Sequence, residues 1–150
     1  MWRFAPRRYP DLMRIDYALL ADGAIQRPDG KLDIYGAGWD FLTAQSFPHA
    51  HGSFDVALRL VVPADEVLAD HVFELIVQGP DGEEVARTRT EMVSQRDRDA
   101  IDDVAEEKLT MTFNFRGVVF PTPGPYQLVM VIDENEIHAV EFSVLQVQED

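Results

Sequence analysis

Apolar and polar residues alternate along most of this chain, which is the pattern of half-buried β-strands. The clearest case is residues 54–62, where every second side chain is apolar. The same period predicts seven further strands, at residues 14–21, 31–35, 71–78, 84–92, 108–115, 127–132 and in a last segment ending at Val147. Turn-forming clusters separate the strands, and no long helical period lies between them to make the crossovers of a parallel sheet.

The end of the chain indicates which all-β fold to expect. Gly124 and Tyr126 lead into the strand at residues 127–132, and an acidic turn at residues 133–136 leads into the last strand. A Gly-x-Tyr entry followed by a closing hairpin is typical of immunoglobulin-like sandwiches. We therefore predict an immunoglobulin-like antiparallel β-sandwich of about eight strands, with the Tyr126 hydroxyl hydrogen-bonded to the backbone a few residues upstream.

Glycines and charges refine this prediction. Gly36 and Gly38 interrupt the second strand, which indicates a bulge or a close backbone approach. The sequence Gly-Pro-Asp-Gly at residues 79–82 predicts a hairpin loop. Residues 84–92 carry two arginines and mixed faces, which suit an edge strand. Residues 93–107 fit either a short helix capped by a serine or a mobile acidic loop, and the pattern leaves both open.

Length and composition favour one folded domain. The chain has 150 residues, 46% of them hydrophobic, which is enough for a core without disulfides. Residues 1–13 mix aromatics, prolines and arginines without a period. We therefore expect an N-terminal basic and aromatic arm at residues 1–13 and a single β-sandwich domain at residues 14–150.

Charge and cysteine content exclude several classes of function. The formal net charge of −14 repels phosphate backbones and anionic membrane surfaces, so we expect no nucleic acid and no membrane as partner. The chain has no cysteine, which removes thiol nucleophiles and thiolate metal sites. Neither a signal-like apolar run nor a stretch near the ~20 apolar residues of a membrane span occurs, and we expect a cytoplasmic protein.

No pattern in the sequence matches a named catalytic or cofactor site. No serine lies in a Gly-x-Ser-x-Gly elbow, and the glycines at 36 and 38 lack the third glycine of a dinucleotide loop. The sequence therefore predicts no catalytic residue and no cofactor. His71 and His138 lie on apolar faces of strands and are interpreted as core or rim histidines.

The nearest approach to a metal site is the pair His49 and His51. Two histidines two apart in extended chain point the same way, and Asp55 or Asp40 could supply a carboxylate. Two imidazoles do not complete the four-ligand shell that zinc prefers, so we interpret them as surface loop histidines and expect no metal.

The arm concentrates the residue types that are enriched at protein interfaces. The interface candidates are Trp2, Phe4, Arg7, Arg8, Tyr9 and, in the body, Trp39. Residues 97–107 are strongly acidic and are the expected target of the arm, on the same subunit or on a neighbour. Trp39 is interpreted first as a core residue, with an exposed anchor as the alternative.

Three segments resemble a bacterial, actinobacterial-type family of unknown function. They are DYALLAD at residues 16–22, DGKLDIYGAGWD at residues 29–40 and Phe-Pro at residues 47–48, with His51 close by. The resemblance covers most of the chain from about residue 14. It implies a small bacterial intracellular protein and brings no established activity.

Three functions are consistent with these features. The favoured one is a non-enzymatic module that works through a protein partner or self-association. The first alternative is a small-ligand or metal-binding sandwich, perhaps hydrolytic, that uses His49 and His51. The second alternative is a carbohydrate-binding module with Trp39 and Tyr35 as its aromatic platform.

Overall fold

The computed structural model describes residues 12–93 and 106–148, and this part of the chain is all-β. It contains eleven strands: β1 Arg14–Gln26, β2 Leu32–Ala37, β3 Phe41–Ala44, β4 His49–Ala50, β5 Ser53–Pro63, β6 His71–Gln78, β7 Glu84–Met92, β8 Glu106–Arg116, β9 Val119–Phe120, β10 Gly124–Ile132 and β11 Asn135–Gln146. The predicted all-β class is confirmed. The predicted number of strands is too low, because β3, β4 and β9 have two to four residues and are too short to show a period.

Two larger sheets enclose the core. Sheet I has the order β2-β1-β5-β8 and is antiparallel throughout. Sheet II has the order β3-β11-β10-β6-β7, and β3 runs parallel to β11. The purely antiparallel arrangement that we predicted is therefore wrong at β3. Strands β4 and β9 form a separate two-stranded ladder.

The core lies between the apolar faces of these sheets. Sheet I contributes alternate residues of its central strand β5, namely Phe54, Val56, Leu58, Leu60 and Val62. Sheet II contributes alternate residues of β6 and β10, namely Phe73, Leu75, Val77, Leu128, Met130 and Ile132. Burial of each such side chain contributes about 1.5–3 kcal/mol, so these two faces hold the fold together.

The β1–β2 hairpin is longer and more curled than the sequence predicts. Strand β1 continues past Ala21, pairing with β5 up to that residue and with β2 from it onward. The backbone N–H of Ala24 donates to Oδ2 of Asp55 at 2.7 Å, and the hydroxyl of Thr110 donates to the carbonyl of Gly30 at 3.2 Å. Because Asp55 and Thr110 belong to β5 and β8, the far half of the hairpin folds back onto these two strands.

Gly36 and Gly38 lie at and just beyond the end of β2, in the left-handed region with φ of +59° and +86°. A side chain at Gly36 would also meet the carboxylate of Asp22, whose Oδ2 lies 2.1 Å from the position of a Cβ. The N–H of Gly38 donates to the carbonyl of Leu20 at 3.0 Å. Glycine is required here because other residues rarely adopt these angles.

Tyr126 forms the predicted corner at the start of β10. Its hydroxyl donates to the carbonyl of Thr122 at 2.5 Å. Its buried ring stacks on Phe142 at 5.8 Å and meets Phe120 edge-on at 5.1 Å between ring centroids. The tyrosine therefore links the loop before β10 to the core.

Several local predictions agree with the structure. Strands β6 and β7 have the predicted limits, β7 is an edge of sheet II, and residues 79–82 form the loop between them. A single 3-10 turn, Ala64–Glu66, follows β5. Residues 1–11 of the arm and residues 94–105 of the ambiguous segment lie outside the described residues. No helix in the described ranges is long and apolar enough to cross a membrane.

Candidate functional site

A groove of about 620 Å³ lies between the start of β1 and the β10–β11 hairpin, and we call it the acidic groove. Its apolar lining consists of Leu12, Met13, Ile15, Ile132 and Ile137. Its polar lining consists of Arg14, Glu66, Asp133, Asn135, Glu136 and His138. An apolar wall with a few polar groups is the usual make-up of a binding site.

The polar lining favours a positively charged occupant. Glu66, Asp133 and Glu136 supply three carboxylates, and Arg14 is the one permanent cation among the described lining residues. The guanidinium of Arg14 is itself engaged, since it lies 3.2 Å from a carboxylate oxygen of Glu106. The Asp133 carboxylate is engaged as well, since its Oδ2 lies 2.6 Å from Nδ1 of His71. The excess negative charge of the groove therefore comes mainly from Glu66 and Glu136, and it favours cations over anions.

His71 lies directly behind this lining and is buried, with 6% of its side chain exposed. Its Nδ1 is 2.6 Å from Oδ2 of Asp133, and its Nε2 is 2.8 Å from the carbonyl oxygen of Glu66. Both partners are hydrogen-bond acceptors, so both ring nitrogens must donate, and only the imidazolium can do this. His71 is therefore a charged cross-link between three segments of the chain.

The pKa values of this pair follow from the same contacts. Burial lowers the pKa of His71, but the hydrogen bonds to Asp133 and to the Glu66 carbonyl outweigh burial and raise it above 6.5. Burial raises the pKa of Asp133, but the hydrogen bonds from His71 and from the Val72 N–H outweigh it and leave that pKa below its usual value. Each group favours the charged form of the other.

Asp133 is held in place by the backbone as well as by His71. Its Oδ1 accepts the N–H of Val72 at 2.9 Å, and its own N–H donates to the Val72 carbonyl at 3.0 Å. Asp133 and Glu134 form a two-residue hairpin loop between β10 and β11, with φ of +49° and +69°. Two positive φ values in a two-residue loop are the pattern of a type I′ turn, for which Asn-Gly or Asp-Gly is preferred.

The two histidines that are weak metal candidates lie side by side in the structure. The rings of His49 and His51 are 5.8 Å apart, and His51 packs against Phe54 and Phe120 at about 6 Å. Burial, followed by the nearby charge of His49, lowers the pKa of His51. No group of three His, Asp or Glu residues that could hold a metal occurs in the described ranges.

Asp55, the carboxylate proposed to join those histidines, has another role. Its Oδ2 accepts the N–H of Ala24 at 2.7 Å, and its Oδ1 accepts the side-chain amide of Asn114 at 2.5 Å. Both oxygens therefore hold the β1–β2 hairpin and strand β8 against β5. The structure does not group Asp55 with His49 and His51.

Trp39 lies at the end of the core. Its ring meets Phe54 at 5.9 Å and Phe142 at 6.2 Å, at nearly right angles to both. Its indole N–H is buried without a hydrogen-bond partner among the described residues. Tyr35 is 61% exposed, but its ring lies over Gly23 of the neighbouring strand. Trp39 is therefore partly buried and packs against the core, with its ring directed at two core phenylalanines. The other interface candidates, from Trp2 to Tyr9, lie outside the described residues.

The sequence predicts His71 at the core or its rim, but it does not indicate that His71 forms a hydrogen bond with Asp133. Asp133 lies 62 residues further along the chain, so no local spacing connects the two. The turn sequence gives no signal either, since aspartate is an ordinary first residue of a two-residue hairpin loop.

Most of the chain matches one known protein family. Residues 16–145 match the model of a family described as Family of unknown function (DUF6941). The chain belongs to DUF6941. No curated protein matches it.

One solved structure similar to the DUF6941 chain is the Pseudomonas fluorescens alkylpurine DNA glycosylase AlkC bound to DNA containing an abasic site analog. The identity is 9% and the TM-score is 0.44, over 90% of this chain and 30% of the glycosylase chain. The DUF6941 chain thus spans less than a third of that protein. A likeness of this degree supports no functional argument.

Proposed function

We propose that this DUF6941 protein is a non-enzymatic β-sandwich module that works through protein contacts, with the acidic groove as a contact site. The observation that carries the proposal is the combination in one groove of an apolar lining with three carboxylates, Glu66, Asp133 and Glu136. Such a lining suits a peptide that offers both apolar rings and positive charge.

We also propose that the fold is a variant of the immunoglobulin-like sandwich. The order β1-β5-β8 in one sheet and β11-β10-β6 in the other corresponds to the order A-B-E and G-F-C of such folds. The hydrogen bond from Tyr126 to Thr122 at the start of β10 corresponds to the tyrosine corner at the start of strand F. The curled β1–β2 hairpin is an addition to that plan.

A binding role also agrees with the state of His71. A general base needs a ring nitrogen that can accept a proton from a substrate. Both nitrogens of His71 donate to acceptors within the protein, and the side chain is 6% exposed. His71 therefore shapes the groove by fixing Asp133 and Glu66 and is poorly suited to proton transfer.

The occupant that we propose is the outer part of the arm, residues 1–11, of this chain or of a second copy. Leu12 and Met13, the last two residues of the arm, already line the groove, so residues 1–11 leave from its edge. An extended segment of 11 residues spans up to about 36–40 Å. The arm supplies three rings and three arginines, namely Trp2, Phe4, Tyr9, Arg3, Arg7 and Arg8.

The rings must supply most of the attachment. Each exposed ion pair contributes only ~0–1 kcal/mol, whereas burial of one large apolar side chain contributes about 1.5–3 kcal/mol. The carboxylates then select a basic segment and orient it, because guanidinium groups bind carboxylates with two parallel hydrogen bonds.

Trypsin tests this proposal on the full-length protein, because the arm contains Arg3, Arg7 and Arg8 as cleavage sites. Docking should slow cleavage of the arm, and Glu136→Lys in the groove should speed it severalfold. Glu141→Lys, on the same strand but outside the groove lining, is the matched control and should leave the rate unchanged. Equal cleavage rates in all three proteins would show that the arm is not held in the groove. A dependence on protein concentration would identify docking onto a second copy.

A further inference from the structure

His71 and the interior of the acidic groove share two carboxylates, those of Asp133 and Glu66. The imidazole approaches them from behind, with Nδ1 2.6 Å from Oδ2 of Asp133 and Nε2 3.7 Å from Oε2 of Glu66. The same two side chains line the groove and are 44% and 34% exposed, so an occupant can reach them from the front. These negative charges therefore have two possible cationic partners.

The charge of the groove depends on the proton of His71. With the imidazolium in place, its positive charge offsets that of Asp133, and the excess negative charge comes from Glu66 and Glu136. Loss of the proton removes this offset and makes the groove more negative by one charge. A positively charged occupant is therefore attracted more strongly when His71 is neutral.

Other charged and titratable groups lie on the elements around His71. Among the described residues, Asp133 and Glu66 are the charged groups that contact its ring. The others are Asp65 and Asp70 in the segment before β6, Glu91 at the end of β7, Glu134 in the β10–β11 turn, and Arg14, Glu136 and His138 across the groove. Most of them are acidic and favour a cation at either position. His138 is the second histidine at this end of the molecule, so an experiment must distinguish the two.

The neutral ring holds the groove less firmly than the charged one. A neutral imidazole has one N–H, so one ring nitrogen must turn a lone pair toward an acceptor. The carboxylate of Asp133 is the stronger acceptor, so Nε2 is left facing the Glu66 carbonyl at 2.8 Å. That carbonyl also accepts the Ala69 N–H at 3.3 Å and so keeps one hydrogen bond. Loss of the proton therefore releases Glu66 from the ring without leaving its carbonyl unpaired.

We propose that the proton of His71 and a basic occupant compete for the carboxylates of the acidic groove, so that docking is tightest when His71 is neutral. This inference rests on the proposed function, because it assigns a control to the same site. A guanidinium bound to Asp133 or Glu66 is separated from the imidazolium by one carboxyl group, and like charges so close disfavour each other. By linkage, docking weakens the binding of the proton by the same factor by which the proton weakens docking.

Histidine NMR titration of the full-length protein measures one side of this competition. The arm variant combines Arg3→Gln, Arg7→Gln and Arg8→Gln, which removes three cations and keeps the rings of the arm. His71 should titrate at a higher pH in this variant than in wild type, because the arm no longer competes with its proton. His71→Gln and His138→Gln proteins assign the two resonances.

The matched control removes three cations outside the groove lining, by combining Arg27→Gln, Lys31→Gln and Arg116→Gln. It changes the net charge as much as the arm variant does, and it should change the titration of His71 much less. An equal change in both variants would show that net charge alone acts on His71, which would overturn the inference.

His138 lines the groove and so reports whether the arm is docked. If the arm variant changes the titration of His138 and leaves that of His71 unchanged, the arm docks without competing with the proton. That result overturns this inference and leaves the proposed function standing. If neither histidine changes, the arm does not occupy the groove, and both proposals fail.

Trypsin cleavage of the arm measures the other side of the competition. Burial lowers the pKa of His71, but its hydrogen bonds raise it above 6.5, so protection of the arm should grow as the pH rises through that raised pKa. The cleavage rate of Glu136→Lys protein divided by that of wild type measures protection and cancels the pH dependence of trypsin itself. This ratio should grow severalfold between about pH 6.5 and about pH 8.5 and should stay constant when both proteins also carry His71→Gln. A ratio that is independent of pH, or that grows equally with His71→Gln, would overturn the proposal.

Discussion

Nδ1 of His71 lies 2.6 Å from a carboxylate oxygen of Asp133, and this contact joins the start of β6 to the turn between β10 and β11. Because Nε2 of His71 donates to the carbonyl of Glu66, the imidazole is held in its charged form. One buried charge thus fixes three segments around the acidic groove. The protonation state of a single histidine should therefore affect the stability of this end of the molecule.

We expect stability to decrease as the pH rises above about 6.5. The pKa of His71 is raised in the folded protein, so its contribution is complete below the unfolded pKa and is lost as the pH rises through the folded pKa. The pKa of Asp133 is lowered, so its contribution is lost as the pH falls below its usual 3.8. Together the pair contributes most between about pH 4 and pH 6.5.

Melting temperatures of wild type and His71→Gln across pH 4–9 measure this effect. The difference between the two proteins should be largest in the acidic part of the range and shrink toward pH 9. His51→Gln is a control of opposite sign, because the pKa of His51 is lowered and wild type should lose stability at that site as the pH falls through about 6.5. A constant difference between wild type and His71→Gln would contradict the charged cross-link.

Replacement of Glu134 by glycine should stabilise the protein by about 0.5–1 kcal/mol. Glu134 has φ of +69°, a conformation that costs other residues energy and glycine very little. Glu134→Ala is the control, since alanine shares the steric cost, and it should change the free energy of unfolding much less. Urea denaturation of the three proteins gives the comparison. A destabilised Glu134→Gly protein would show that the carboxylate of Glu134 does more than occupy a turn.

The sequence predicted correctly those features that depend only on residues close together in the chain. The limits of β6 and β7, the loop at residues 79–82 and the corner at Tyr126 all depend on neighbours within a few residues, and all were predictable. Strand β3 could not be predicted, because its four residues form a strand only by parallel pairing with β11, about 100 residues away.

The candidate site was less predictable than the fold. His49 and His51 were considered as metal ligands because they are close in sequence. The charged pair that borders the groove, His71 and Asp133, is separated by 62 residues. Asp55 likewise could not be assigned, because its partners Ala24 and Asn114 lie on two other strands. Period and spacing report on faces of strands and carry no information about which distant side chains meet.

The hydroxyl of Tyr126 should contribute about 1 kcal/mol to stability. Tyr126→Phe keeps the ring contacts with Phe142 and Phe120 and removes only the bond to the Thr122 carbonyl. Tyr35→Phe, on a ring that is 61% exposed, is the control and should have almost no effect. Equal denaturation midpoints for wild type and Tyr126→Phe would show that the hydrogen bond from Tyr126 to Thr122 contributes nothing to stability.

Zinc should not bind tightly at His49 and His51. Two imidazoles leave half of a tetrahedral shell to water, and the carboxylate of Asp55 is engaged by Ala24 and Asn114. Calorimetric titration of wild type with zinc should therefore show no stoichiometric submicromolar binding. If such binding appeared and vanished in His51→Ala, the metal-binding alternative would replace the present proposal.

Loss of the Asp55 carboxylate should release the far half of the β1–β2 hairpin. Its two oxygens accept the Ala24 N–H and the Asn114 amide, and a hydrogen bond to a charged group contributes about 1.5–3 kcal/mol. Asp55→Ala should therefore lower the free energy of unfolding by about 2–4 kcal/mol, less than the sum because both donors can turn to water. It should also increase trypsin cleavage at Arg27 and Lys31, which flank the hairpin turn. Asp33→Ala, an exposed residue of the same hairpin whose carboxylate lies 3.9 Å from the guanidinium of Arg27, is the control for stability and should change the free energy of unfolding very little. If Asp55→Ala lowered global stability without increasing trypsin cleavage of the hairpin, the carboxylate would stabilise the pairing of β5 with β8 and would not hold the hairpin in place.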